Sequence, residues 1–252
     1  MPSTYKRSAI RGDFEQARDQ IAALLDGQPL DPHQSYTAQI HTRLRDFIVR
    51  GRLLPGMALS EAAIAAAMGI SRTPVREALL HLVQEKLVHV YPQVGTLVAP
   101  LQAALIKEGC FVRSTLECAN LMDLVNTVTE AQLDAIRFLL ARQQEALSGG
   151  QPDAFFHSDD AIHGRMFEFT GRSRIWAFIQ ETKLHLDRVR WLLLDLIPEH
   201  AERVFNEHTK IFNHLAVKDA AGLGSAMQLH IEAVAGHLIE LRKCTPESYY
   251  SD

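Results

Sequence analysis

The sequence is poor in cysteine, has no long apolar run and carries only a small excess of one charge. Its three cysteines (Cys110, Cys118, Cys244) form no even-numbered framework. That excludes a disulfide-stapled scaffold and suits a reducing compartment. The strongest apolar stretches, such as Trp191 to Leu194, fall far short of the roughly 20 residues of a membrane-spanning helix. Met1 to Gln20 is polar and charged, without the apolar core of a secretory signal. A cytoplasmic protein with no membrane partner is therefore expected. No Gly-rich phosphate loop, GxSxG elbow or internal repeat occurs, which removes P-loop, serine-hydrolase and solenoid readings. Hydrophobic residues at 47% and charged residues at 22% are ordinary globular values, and 252 residues suit two domains.

The net charge of −4 hides an uneven distribution. Residues 34–100 hold seven Lys/Arg against four Asp/Glu, whereas residues 101–252 hold fifteen against twenty-one. A basic block joined to a larger acidic one points to two partners of different electrostatics. Residues 1–33 form an N-terminal extension with a short amphipathic helix at Phe14 to Leu25, ended by Gly27 and Pro29. From Tyr36, the spacing of Ile40, Leu44, Phe47 and Ile48 predicts a one-sided helix. Ser60 caps a short Ala-rich helix stopped by Gly69, and Ser71 or Thr73 caps a third with Pro74 in its first turn. Val88, Val90 and Leu97 then read as a small hairpin around Pro92 to Gly95. Beyond Pro100 only amphipathic helical segments follow, at roughly 103–126, 130–147, 153–169, 173–196, 199–217 and 220–242. Thr129 with Gln132 makes a capping box for the second of these. Short connections predict an antiparallel all-helical bundle over 101–243, followed by a tail at 244–252.

Gly69 to Leu79 carries the sharpest local signal. Two helices joined by a tight Gly-containing turn form a helix-turn-helix, whose second helix offers its N-terminal residues to the major groove. Arg72 and Arg76 lie four apart in the first turns of that helix, and their planar forks suit guanine edges or phosphates. Ser71 and Thr73, with the helix N-terminus, suit phosphate oxygens. The strings Leu59-Ser60-Glu61 and Ser71-Arg72-Thr73-Pro74-Val75-Arg76-Glu77-Ala78-Leu79, with the Leu87 to Val98 hairpin, resemble the winged helix-turn-helix of GntR-family regulators. That resemblance implies operator contacts from Arg72, Thr73 and Arg76, and it marks Gly95 as the wing tip. It covers residues 36–100 and leaves departures. Lys86 stands where the family usually has Gly, Gln93-Val94 replaces basic wing residues, and Ala62 replaces an Arg of some members.

Twelve histidines are many, and eight lie beyond residue 150. Asp159 and His163, four apart, share a helix face. His208 and His230 flank a turn near residue 218.5 almost symmetrically, so antiparallel helices bring them to nearly one level. One Asp and three His converging in a bundle make a plausible first-row transition-metal site with open positions for water or a ligand carboxylate. His200 and His237 are also symmetric about that turn and compete, although Pro198 puts His200 at a fraying helix end. The segment after residue 103 resembles the FCD effector domain of the FadR subgroup, through Arg113-Ser114-Thr115-Leu116-Glu117, Asp159-Asp160-Ala161-Ile162-His163, Glu207-His208-Thr209-Lys210-Ile211 and Lys218-Asp219 through His230. By that resemblance Asp159, His163, His208 and His230 coordinate a divalent transition metal such as zinc, nickel or manganese. Arg113 either pairs with an effector carboxylate or closes an i, i+4 pair with Glu117.

The expected protein is a ligand-responsive transcriptional repressor, mainly α, with an N-terminal winged helix-turn-helix and a C-terminal helical bundle. Its partners are double-stranded operator DNA, a small organic-acid effector and a second copy in a homodimer, since such operators are usually two-fold symmetric. The alternative is a metal-dependent helical enzyme carrying a nucleic-acid-binding module. It would need a general base beside the metal. His157 and Asp160 are available, but helical phase turns Asp160 about 100° from the Asp159/His163 face.

Overall fold

A computed structural model of the chain describes residues 17–92 and 95–251. They form two compact units. The first runs to Leu101 and takes back Glu247–Ser251, and the second spans Gln102–Pro246.

In the first unit residues 17–25 are helical (α1) and bury Ala17, Ile21 and Leu25 at four-residue spacing. Phe14 to Gln16 of the expected helix lie outside the described residues. Helix α2 (Tyr36–Val49) begins at Ser35, whose Oγ accepts from Ala38 N, and buries the Ile40, Leu44, Phe47 and Ile48 stripe. Helix α3 (Glu61–Met68) is capped by Ser60, and Gly69 ends it in the left-handed region at φ 65°. The tight turn leads into α4 (Arg72–Gln84), which packs Val75, Ala78, Leu79 and Leu82 inward. Strands β2 (Val88–Tyr91) and β3 (Gly95–Val98) pair antiparallel, with Val88 opposite Val98. A strand that periodicity did not predict, β1 (Ala58–Leu59), adds to β3 and gives the order β1-β3-β2. Two residues are too few to show a period. Gly95 opens β3 opposite Tyr91, and Gln93 and Val94 lie outside the described residues.

The second unit holds seven helices among the described residues: α5 (Ala103–Thr127), α6 (Glu130–Ser148), α7 (Pro152–Phe169), α8 (Ser173–Thr182), α9 (Leu184–Leu196), α10 (His200–Ala216) and α11 (Ala220–Cys244). The capping box of α6 forms as expected, Thr129 Oγ1 accepting from Gln132 N while Gln132 Oε1 accepts from Thr129 N. Helix α5 packs on α11 and α9, α6 on α7 and α10, and α10 on α11. The segment 173–196, expected as one helix, is broken at Lys183. The Lys183 side chain is fully buried, with Nζ 2.5 Å from Asp187 and 3.1 Å from Asp160. Helix α5 runs close against the break: a Cβ on Gly109 would lie 3.4 Å from Leu186 Cβ and 3.6 Å from Thr182 O. A side chain drawn into buried ion pairs marks this bend, without the Gly or Pro that sequence punctuation depends on. After α11 a 3-10 turn (Glu247–Tyr249) and strand β5 (Tyr250–Ser251) follow, β5 pairing with β4 (Leu101–Gln102).

Candidate functional site

Helix α10 lays a stripe of His200, Val204, His208, Ile211 and Leu215 into the bundle. Two histidines thus occupy positions that core packing would fill with apolar residues. The α7 stripe does the same with Asp159 and His163 between Phe156 and Phe167, and α11 adds His230 next to Ile231. Asp159, His163, His208 and His230 are all buried, and one ligand atom from each lies within 4.8 Å of the others.

The three rings converge through Nε2. His163 Nε2 is 3.2 Å from His208 Nε2, which is 3.3 Å from His230 Nε2. Asp159 reaches the same point, with Oδ2 3.6 Å from His208 Nε2 and Oδ1 3.8 Å from His163 Nε2. Around a first-row ion with bonds of about 2.1 Å, neighbouring nitrogens sit about 3.0 Å apart in octahedral geometry and about 3.4 Å apart in tetrahedral geometry. Both Nε2–Nε2 separations fall between these values, and the Asp159 oxygens stand slightly farther off.

Each ring also has an acceptor behind it. His208 Nδ1 lies 2.8 Å from Gln143 Oε1, and His230 Nδ1 lies 2.8 Å from Glu207 Oε2. His163 Nδ1 is 2.5 Å from Glu117 Oε2, in a contact too bent for a full hydrogen bond. Acceptors at Nδ1 favour the Nδ1–H tautomer and leave the Nε2 lone pairs facing one another. Lone pairs so arranged repel unless a cation stands among them. The donor set therefore fits a divalent metal on chemistry as well as on distance.

The electrostatics agree with neutral rings beside an ionised carboxylate. Burial above all pushes His230 down to about 3. Burial likewise holds His208 well below its usual value, against the opposing pull of Asp159. Burial alone would raise Asp159, but Arg190, His208 and His163 outweigh it and hold its carboxyl far down. Arg190 Nη2 donates to Asp159 Oδ1, and Nη1 is 2.8 Å from Asp187 Oδ1. Arg113 is buried and engaged within the protein, its Nε donating to Glu117 Oε1 at 2.6 Å. The i, i+4 pair is thus formed. Glu117 consequently links Arg113 to the ring of His163.

Sequence reasoning missed Glu117, Gln143, Glu207 and Arg190 as supports. Only for α9 was a signal present. Asp187 and Arg190 fall three apart in a segment with apolar residues on every face, which leaves charged groups no outer face. His200 is also not at a frayed end. It is the first residue of α10, 2% exposed, with its ring edge-on to His237 at 5.0 Å.

In the first unit Ser71, Arg72 and Thr73 are exposed at the N-terminus of α4, and the Ser71 hydroxyl makes no capping bond. Arg76 lies on the same helix but is already engaged. Its Nη2 is 3.0 Å from Glu61 Oε2 of α3, with Nε 3.2 Å from Glu61 Oε1.

A unit in which helices α2, α3 and α4 precede a small winged sheet, followed by a helical bundle with a buried Asp/His cluster, defines a DNA-binding regulator with a separate effector domain. Residues 36–98 match the model of bacterial regulatory proteins of the gntR family, and residues 108–233 match the FCD domain. An uncharacterized HTH-type transcriptional regulator of Streptomyces ambofaciens is 34% identical over 84% of this chain and 89% of its own. The HTH-type transcriptional repressor RspR of Escherichia coli K12 is 30% identical over 85% of this chain and 93% of its own. Among solved structures, E. coli McbR/YncC superposes with TM-score 0.64 at 22% identity, over 84% of this chain and 99% of that one. The chain belongs to the GntR family, in its FadR-like subgroup with an FCD domain. It is a DNA-binding transcriptional regulator and not an enzyme. No described helix is long and apolar enough to cross a membrane.

Proposed function

We propose that this regulator acts in the cytoplasm as a homodimeric repressor that senses a small organic acid through a divalent metal held by Asp159, His163, His208 and His230. The observation that carries the reading is the convergence of three Nε2 atoms whose Nδ1 atoms are each backed by an acceptor. When bound, the ion supplies a Lewis-acidic position for a carboxylate oxygen. The protein's own groups do the rest. Glu117, Gln143 and Glu207 orient the rings, while Arg190 fixes Asp159 in its ionised form. Arg113 lines the same cavity as Asp159 and His230, and an acid arriving there can compete with Glu117 for its guanidinium. Ser71, Arg72, Thr73 and Arg76 read the operator from α4, with Gly95 turning the wing.

Repression is supported by relatives named as repressors, RspR among them and the gluconate operon transcriptional repressor of Bacillus subtilis, which is 26% identical over 79% of this chain. A homodimer is supported by the usual two-fold symmetry of operators. Large apolar side chains left exposed on the bundle, Phe111 at 71% and Leu229 at 69%, add to it.

The test measures metal content, acid binding and operator binding on wild type and His208→Ala. Loss of metal and of acid affinity together, with operator affinity of the acid-free protein retained, is the expected result. Acid affinity that survives complete loss of metal would overturn the metal-based reading and leave Arg113 as the anchor.

A further inference from the structure

We propose that the cavity beside the Asp/His cluster accepts a dicarboxylic acid in preference to a monocarboxylic one, and that His200 and His237 read its second acidic group. The inference rests on the reading that the cluster engages one carboxylate.

Asp159, His230, His200 and His237 all line this cavity, with Arg190, Val204 and Val234 also in its wall. Helix geometry orders them. His200 lies eight residues before His208 on α10, and His237 lies seven after His230 on α11. Because α10 and α11 are joined by a short turn and run antiparallel, both displacements point toward the same end of the bundle. Each is about 10–12 Å along its helix. Val204 and Val234 fall halfway on their respective helices. The wall is thus polar at one end, apolar at the waist and polar again at the other, the pattern of a short acid with a carboxylate at each end of a methylene chain.

The far end is short of partners. His200 Nδ1 and His237 Nδ1 are both buried atoms with no hydrogen-bond partner among the described residues, and His200 is 2% exposed. Buried polar atoms are rarely left so without a reason, and a role in holding a ligand is one. The edge-on packing of the two rings at 5.0 Å holds each against the other. The sign of the missing group follows from the surroundings. Arg203 Nε, nearby, also lacks a partner, although its Nη1 and Nη2 hold Glu240 at 3.2 and 2.9 Å. Of the two acids lining the cavity, Asp159 is held by Arg190 and Glu207 is taken up by His230. Burial first, with the guanidinium charges of Arg203 and Arg190 adding to it, keeps His200 neutral with its pKa at about 3. A neutral imidazole N–H and the Nε–H of an arginine are donors, and donors suit a carboxylate rather than an ammonium group. The cavity is narrow, about 20 Å³, so an acid of this length must widen it on binding.

The experiment titrates the metal-loaded full-length protein calorimetrically with succinate, glutarate and adipate, each beside the monoacid of equal length, butyrate, pentanoate and hexanoate. At least one diacid should bind about tenfold or more tighter than its monoacid, as expected for a site built to pair a second polar group. His237→Leu, at a half-buried position, should erase that ratio while monoacid affinity, metal content and melting temperature hold. His237→Gln, which keeps an N–H donor, should restore most of it. His200→Phe serves as the second variant, with melting temperature as its folding control. Equal binding of diacids and monoacids by wild type, or variants that weaken both alike, overturns this inference and leaves acid sensing intact. Failure of every acid of either class to bind the metal-loaded protein overturns acid sensing itself.

Discussion

Gly164 lies next to His163 on α7, and the face it leaves bare is filled by Trp176. A Cβ at Gly164 would stand 2.7 Å from Trp176 Nε1 and 3.0 Å from Cδ1. The indole stacks on His163 at 6.2 Å and on Phe167 at 5.8 Å. Gly164→Ala must therefore move a rigid ring away from both contacts. Overpacking of this kind costs about 1–3 kcal/mol. Alanine returns about 0.5–1 kcal/mol through its better helix propensity. The net effect is a loss of up to about 2.5 kcal/mol, or a drop of up to roughly 10 °C in Tm for a protein of this size. Gly236 on α11 is the matched control, because a Cβ there meets nothing within 4 Å. Gly236→Ala should gain about 0.5–1 kcal/mol by propensity alone. Thermal unfolding of the two variants in the same buffer, with tryptophan emission followed in the folded state, decides the matter. Gly164→Ala should melt lower and shift the emission, and Gly236→Ala should do neither. Equal stabilisation by both substitutions would refute the argument that Trp176 requires a glycine.

Four further outcomes are expected. Lys86 adopts φ 57°, where a side chain costs about 1–2 kcal/mol, so Lys86→Gly should raise stability to urea by up to about 1 kcal/mol after the entropy of glycine is counted. Arg72→Ala should weaken specific operator binding by about 1–3 kcal/mol in a mobility-shift titration, with an unchanged melting temperature. Glu61→Gln frees the guanidinium of Arg76, so non-specific DNA affinity should rise and its log–log salt slope steepen by about one. Metal-free protein should lose stability in acid. His200 and His230 are held near 3 by burial, whereas the unfolded chain takes up those protons near pH 6.5. Their contribution is therefore full above about pH 6.5 and falls as pH drops, by about 2 kcal/mol each at pH 5. Urea titrations in chelator at pH 8 and pH 5 would show it, and equal midpoints would contradict the buried neutral rings.

What could be read from the sequence was whatever a local or nearly local rule governs. The Thr129 capping box depends on four consecutive residues, and the stop at Gly69 depends on one backbone angle. His208 and His230 were legible as a pair because a short turn between antiparallel helices indexes their levels. The structure brings their Nε2 atoms to 3.3 Å. Residues that act across three or more helices gave no such index. Glu117 of α5 backs a histidine of α7, and Gln143 of α6 backs one of α10, contacts that depend on how the whole bundle packs. The same indexing made His200 and His237 equivalent to the cluster pair. The acceptors at Nδ1, present behind His208 and His230 and absent at His200 and His237, separate the two pairs, and that property is not written in spacing. Lys183 shows the opposite failure, in which an ordinary helix-forming residue marks a break because its ammonium is buried between two carboxylates.

The buried chain that runs from Lys183 through Asp187 and Arg190 to Asp159 bears on how this sequence can evolve. Losing one member strands a charge in the interior, at about 3–5 kcal/mol. That is a large part of the roughly 5–15 kcal/mol holding a typical domain folded. Replacing a whole set by apolar residues of similar volume can be neutral. Single-step drift is thus closed at these positions while coordinated exchange is open. Descendants of this protein should keep the chain intact or change its members together, and Asp159, which ends the chain inside the Asp/His cluster, is the member whose partners have least freedom to leave.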